Sequence, residues 1–224
     1  MRLNADFSRF ASVTPAEYHW VSSPVPGVER MMLDRIGDKI ARATSLVRYH
    51  PHSRFSSHQH AGGEEILVLE GEFADEHGRY PAGTYLRNPV GTSHTPQVDD
   101  QGALLFVKLH QFDPGDTHQF ARNCALSPWQ PDRRPGVSYK VLHKHATESV
   151  SLERWEPHIC STFASSCAGV EILVLEGALQ AQQSETVYPA GSWLRYPAGE
   201  EFTLQAGDDG ATFYVKRGHL MAFT

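Results

Sequence analysis

The heptapeptide EILVLEG occurs twice, at residues 65–71 and again at 171–177. Around it the two halves of the chain keep step. YPAGTYLRNPVG at 80–91 corresponds to YPAGSWLRYPAG at 188–199, and FVK at 106–108 to YVK at 214–216. Upstream, Trp20 followed by PGV at 26–28 corresponds to Trp129 followed by PGV at 135–137. Matched order and spacing over about ninety residues is the signature of a duplicated structural unit. The 224-residue chain therefore reads as two related domains, 20–112 and 129–224. Residues 1–19 read as an N-terminal extension, and 113–128, rich in turn formers, as a linker.

Each unit has the texture of β-structure. ARATSLVRY (41–49) and ALLFVKLH (103–110) are rich in β-branched and apolar residues with partial alternation. EILVLEG is a short apolar run ended by Gly71, which suits a strand packed on both faces. TYLRNP stops at Pro89, which cannot donate to a ladder. One short helix is expected near TPAEYHW (14–20). Closing such strands into a barrel removes exposed sheet edges. The predicted fold class is all-β, with two tandem jelly-roll β-barrels.

Acidic residues outnumber basic ones, 26 to 20, for a net charge of −6. That leaves no basic footprint for nucleic acid or an anionic membrane, so neither is expected as a partner. No apolar run is long enough to span a bilayer, and MRLNADFSRF has no signal core. Cys124, Cys160 and Cys167 form no C-x-x-C pair, which suits a reducing, cytoplasmic setting.

Histidine is the unusual component. Of 13 histidines, seven fall between His50 and His110. His58 and His60, two residues apart, share one face of a strand. Glu64 follows across AGG, whose glycines let the chain turn its carboxylate toward the imidazoles. His94 comes after the turn PVGTSH. Three imidazoles and one carboxylate make a mixed nitrogen and oxygen donor set, suited to one divalent transition metal such as Fe, Mn, Ni, Co or Zn. A lone histidine on a strand is usually a solvated residue. Four ligand residues at four spaced motif positions are not explained that way. Glu65 is the competing carboxylate, but it recurs as Glu171 where no other ligand does, so it reads as structural.

His58-x-His60-x3-Glu64-x6-Gly71 resembles the first motif of the cupins, and Gly83-x5-Pro89-x-Gly91-x2-His94 resembles the second. Val98 stands where an asparagine often follows. In its finer form, HQHAGGEEILVLEG is similar to cupins of the ChrR type. The resemblance covers both repeats and implies a bicupin of RmlC-like jelly rolls. In that family the cupin forms the C-terminal half of a zinc-dependent anti-sigma factor. Related small cupins include non-haem iron oxygenases that cleave diketones or hydroxyketones. Residues 1–19 contain no His-x3-Cys-x2-Cys motif, the zinc site of the sigma-binding domain in ChrR, so direct anti-sigma activity is not expected of them.

The second repeat serves as an internal control. Aligned on EILVLEG, it places Ala164, Ser166 and Val170 at the positions of His58, His60 and Glu64. Aligned on YPAG, it places Phe202 at that of His94. One metal in the first unit and none in the second is the expectation. Arg54, Tyr85, Phe106 and Lys108 are candidates for a substrate pocket beside the metal, although Lys108 recurs as Lys216. Arg54 is included because an uninterrupted strand would place it on the face of His58.

Two functions fit these residues. One is a non-haem-metal dioxygenase-type enzyme acting on a small ketone or enolate. The alternative is a zinc-holding ChrR-type transcriptional regulator or oxidative-stress sensor without catalysis, with a sigma factor as partner. A sugar-nucleotide isomerase fits the fold but not the histidine set. A homodimer is compatible with either.

Overall fold

The computed structural model describes residues 1–164 and 168–220, which leaves Ser166 and Cys167 of the second repeat outside the described residues. Two compact units emerge, and both are antiparallel β. Among the described residues there is no α-helix; the turn expected near residues 14–20 is a single 3-10 turn, Pro15–Glu17. Glu17 closes it by accepting hydrogen bonds from the Thr14 backbone and hydroxyl, both at 2.8 Å. No helix among the described residues is long and apolar enough to cross a membrane.

The first unit is Met1–Ala5 with His19–Ser127. Its large sheet runs in the order Arg2–Leu3, Val28–Gly37, Ala41–Tyr49, Gln97–Leu109, Glu64–Asp75, Thr84–Asn88, Phe120–Asn123. A separate two-stranded sheet pairs His58–Gln59 with Ser93–His94. The second unit, Asp6–Tyr18 with Pro128–Thr224, repeats the plan. Its sheet runs Gln130–Pro131, Val137–His145, Glu148–Trp155, Phe202–Arg217, Val170–Ala181, Trp193–Tyr196, Ala11–Val13.

The segments lying outside the two repeats by sequence supply strands to both units. Ala11–Val13, inside the expected extension, pairs with Trp193–Tyr196. Phe120–Asn123, inside the expected linker, pairs with Thr84–Asn88. The boundaries 20–112 and 129–224 are therefore too tight. Each unit closes its sheet with a strand drawn from the other half of the sequence, because an uncovered edge would leave a row of backbone donors and acceptors unpaired.

The strand that carries EILVLEG is buried on both faces from Glu64 to Val68. Ile66 and Val68 enter the core of the first unit with Val47, Leu105 and Val107. Glu65 and Leu67 point the other way and are also buried. The run ends in a bulge. Gly71 sits at φ +69°, where a Cβ would collide with the Gly102 carbonyl, and Gly177 repeats this at φ +68° against Gly210. The repeated glycine is thus required by a close backbone crossing and a left-handed conformation. Gly71→Ala is expected to destabilise the protein by about 2 kcal/mol or more, by strain and collision together. Denaturant unfolding checks this, and an unchanged midpoint would refute it.

Candidate metal centre

The small sheet fixes two of the imidazoles. His58 and His94 are register partners across it. The His60 backbone N–H donates to the Thr92 carbonyl at 2.8 Å, which brings its ring into the same group. The chain then turns through Gly63, at φ +75°, so that the inward residue of the next strand is Glu64. Ring centroids of His58, His60 and His94 lie 4.6–5.2 Å apart. One atom, Glu64 Oε2, stands 3.2 Å from His60 Nε2 and 3.4 Å from His94 Nε2. The donor atoms of all four residues lie within 4.8 Å of one another. His60, Glu64 and His94 are buried, and His58 is half-buried at the open side.

Second partners decide which nitrogen faces inward. His94 Nδ1 is 3.2 Å from Asp75 Oδ2. His58 Nδ1 is 3.0 Å from the Ser56 carbonyl. His60 Nδ1 is 2.9 Å from Thr92 Oγ1, whose own hydroxyl hydrogen is given to the Pro89 carbonyl at 2.7 Å. Each of these acceptors takes the Nδ1 proton, so each neutral ring presents a bare Nε2 lone pair to the centre. The Nε2 atoms of His60 and His94 are buried and make no hydrogen bond. Such atoms are costly to bury without a partner. The donor set and its orientation therefore fit a single divalent metal of the kind that accepts imidazole and carboxylate. Asn88 Nδ2 donates to Glu64 Oε2 at 3.3 Å and steadies the carboxylate.

The two buried imidazoles titrate in opposite directions. Burial pushes His60 down to about 4, with the neighbouring rings adding to the effect against the attraction of Glu64. Burial also works against charge on His94, but its hydrogen bond to Asp75 and the charge of Glu64 outweigh that and raise it above the ordinary imidazole value. Asp75 is itself lowered: burial opposes its charge, and hydrogen bonds from His94, the His77 amide and Tyr80 prevail.

Beside the imidazoles opens a cavity of about 350 Å³. Its wall is mostly apolar, with Val47, Ile66, Phe73, Leu105 and Val107, and it also carries Tyr49, Arg30 and His110. The Phe55 ring lies 5.1 Å from that of His58. The substrate-pocket candidates from sequence are placed elsewhere. Arg54 is exposed, because the chain turns at His50–His52 (φ +62° at His52) and no continuous strand carries the alternation. Phe55, not Arg54, faces the cavity. Tyr85, Phe106 and Lys108 are buried on the opposite face of the large sheet. Leu105, Val107 and Leu109 take the inward positions, and period two sends Phe106 and Lys108 outward. Lys108 donates to Thr44 Oγ1 at 3.0 Å, and Tyr85 Oη accepts from Arg87 at 3.2 Å. Arg87 also pairs with Glu65 at 3.1 Å, the structural role expected of that carboxylate. Sequence pattern missed Arg30, Tyr49, Asp75, Asn88 and Thr92. For Arg30 and Tyr49 a signal existed, since they share inward rows with Val28 and Val47.

In the second unit the corresponding space is filled. Strand pairing sets Phe163, not Ala164, opposite Phe202, so Phe163 occupies the place of His58 and Ala164 is exposed. In sequence Val170 follows Phe163 by one residue more than Glu64 follows His58, which an alignment anchored on EILVLEG cannot register. Phe202 stacks between Tyr196, at 3.4 Å and 3°, and Phe163, at 4.7 Å and 8°. Trp155 extends the stack, 5.9 Å from Phe163.

Fold and site together define a duplicated jelly-roll protein with one three-histidine, one-glutamate group in its first half. A family model for the ChrR cupin-like domain matches residues 8–113 and 117–221, so the chain belongs to that family. Each matched span begins with the strand that closes the other unit. No curated protein matches the chain. Among solved structures, the chain is similar to a Nostoc punctiforme protein described, without proof, as a dioxygenase. The TM-score is 0.80 at 17% identity, over 97% of this chain and 85% of that one. It is also similar to Bacillus subtilis oxalate decarboxylase, at TM-score 0.67 and 13% identity over 94% and 76%. A Pseudomonas aeruginosa protein described, also without proof, as glyoxylate-induced gives 0.73 and 16% over 92% and 86%. At these identities the likeness is one of fold.

Two outcomes are expected. His60→Ala should abolish stoichiometric zinc binding, whereas Asp75→Asn, which loosens the orientation of His94, should weaken it by about 10- to 100-fold. Equilibrium competition with a chelator separates the two, and wild-type affinity in Asp75→Asn would refute the role of Asp75. The pH dependence has a definite sign. Metal requires neutral imidazoles, and His94 takes up its proton first because its value is raised. Affinity should therefore fall as pH drops through neutrality, by up to about tenfold per unit for each proton displaced. Asp75→Asn should move that fall to lower pH, since the carboxylate holds the proton on His94.

Proposed function

We propose that the first unit holds one divalent transition metal through Nε2 of His58, His60 and His94 and the carboxylate of Glu64. In this reading it acts as a non-haem-metal dioxygenase on a small ketone or its enolate. One observation carries the proposal: Nε2 of His60 and of His94 converge on a single Glu64 oxygen, with a donor atom of His58 within 4.8 Å of them, beside a mainly apolar cavity of about 350 Å³. That volume suits a small molecule. Four protein donors on a metal that favours six leave two positions for substrate and oxidant. A bound Fe(II) would supply Lewis acidity toward an enolate and the redox path to dioxygen.

The chain's own residues supply the rest. Asp75, Thr92 and the Ser56 carbonyl hold the imidazoles in one tautomer, and Asn88 restrains Glu64. Val47, Ile66, Leu105 and Val107 exclude water from the reacting end. Tyr49 stays protonated, because burial and the nearby Glu64 charge raise it well above a free phenol, so its hydroxyl is available as a donor within the cavity. The likeness to the Nostoc protein described as a dioxygenase supports the same reading.

Protein reconstituted with Fe(II) should consume dioxygen with at least one member of a panel of β-diketones and α-hydroxyketones, neutral and carboxylate-bearing. His60→Ala should lower that rate by about two orders of magnitude or more. An oxygen electrode checks this. Iron-replete protein that consumes no oxygen with any of them would instead favour a zinc-holding sensor.

A further inference from the structure

The cavity contains a cation that the proposed reaction leaves without a task. Arg30 lies on Val28–Gly37 in the inward row with Val28, a core residue. Its register partners on either side are Val21 and Val47. The side chain is half-buried and lines the cavity that also contains His60, Glu64 and His94. Among the described residues no hydrogen bond or ion pair holds its guanidinium; the charges near it are those of Glu64 and Arg35, and the Tyr49 phenol beside it is neutral.

Other buried arginines of this unit are treated differently. Arg87 is paired with Glu65 and Asp116, at 3.1 and 2.6 Å, and Arg42 lies 3.6 Å from Asp34. A guanidinium cannot escape burial by losing its proton at physiological pH. Burial disfavours the charge on Arg30, and no carboxylate neutralises it by direct contact. Glu64 makes no hydrogen bond or ion pair with it; its inward oxygen faces Nε2 of His60 and His94 and accepts from Asn88. An unpaired planar fork in an apolar wall is a preformed receptor for a carboxylate, which it binds through two parallel hydrogen bonds. Lys39 at the cavity lining adds positive charge.

We infer that the molecule this cavity takes carries a carboxylate, received by Arg30, at the far end of a short apolar segment from the oxygen atoms that face Nε2 of His60 and His94. The class is a small keto or enol acid, not a neutral diketone. The metal-facing half of this statement rests on the function proposed above; the anion subsite rests on Arg30 alone.

The test uses full-length protein loaded with zinc, which is redox-inert, and two probes that share one diketone: 4,6-dioxoheptanoate, whose carboxylate stands two methylenes from the diketone, and its neutral methyl ester. Calorimetry should show the acid binding wild-type protein about tenfold or more tightly than the ester. Arg30→Gln should remove that preference, weakening the acid by about tenfold and leaving the ester within about threefold. Arg30→Lys, which keeps a charge but not the fork, should fall between them. Equal affinity of wild-type protein for acid and ester, or failure to bind the acid at millimolar concentration, would overturn the inference whether or not Arg30→Gln folds. Unchanged acid binding by folded Arg30→Gln would overturn it too. Oxygen uptake does not enter this readout. An inert iron form with an Arg30-dependent acid preference would refute the dioxygenase reading alone. Uptake with neutral diketones and no acid preference would refute the anion subsite alone.

Discussion

The period of two along Glu64–Asp75 governs the first unit. Adjacent carboxylates, Glu64 and Glu65, are both buried, yet they go to opposite faces of one strand. Glu64 faces three imidazoles, and Glu65 faces Arg87. A slip of one residue would put Glu65 among the imidazoles and Glu64 against the guanidinium, and would carry Ile66 and Val68 out of the core. The turn before the strand and the bulge after it hold the register. Gly63 and Gly71 are both at positive φ, and each lies where an added Cβ would meet neighbouring atoms.

That alternation separates two polar systems with different electrostatic solutions. On the outer face Glu65, Arg87 and Asp116 neutralise one another by direct pairing. On the inner face one carboxylate serves several imidazoles, and the site avoids accumulating charge by keeping His60 neutral, with its value near 4. Proton uptake is directed to His94, where Asp75 receives the Nδ1 hydrogen. The result is a group of donors held ready for a cation, since rings locked by their outer nitrogens need little reorganisation to bind one.

The second unit shows which of these features the fold itself needs. It keeps the bulge glycine, the inward Ile172 and Val174, and the outward Glu171, here held by Trp193 and His219 at 2.8 and 2.9 Å. At the positions of His58 and His94 it has Phe163 and Phe202, stacked with Tyr196, which stands where the first unit has Asn88. Those rings give buried apolar area and stacking, which stabilise a core, whereas buried imidazoles with unmet Nε2 atoms do the opposite. The same frame thus accommodates either a stacked aromatic core or four convergent metal-type donors, so the fold itself does not need the four residues.

The contrast also explains what was legible in the amino-acid sequence. Residues that act through local geometry were readable: the His58–His60 spacing, the glycine turn before Glu64, and the duplicated strand. Residues that act through tertiary neighbours were not. Asp75 and Thr92 orient rings from other segments, 19 and 32 positions away in sequence. The pocket candidates Phe106 and Lys108 failed for a different reason, since alternation was known but its phase was not. Fixing that phase on Leu105 and Val107 at once places Arg30, because Val47, its register partner, enters the same core. A charged residue in that row has no packing role that a valine would not fill better. A half-buried positive charge lining the same cavity as the imidazoles and Glu64, with no carboxylate paired to it, is the feature of the wall that packing alone does not explain.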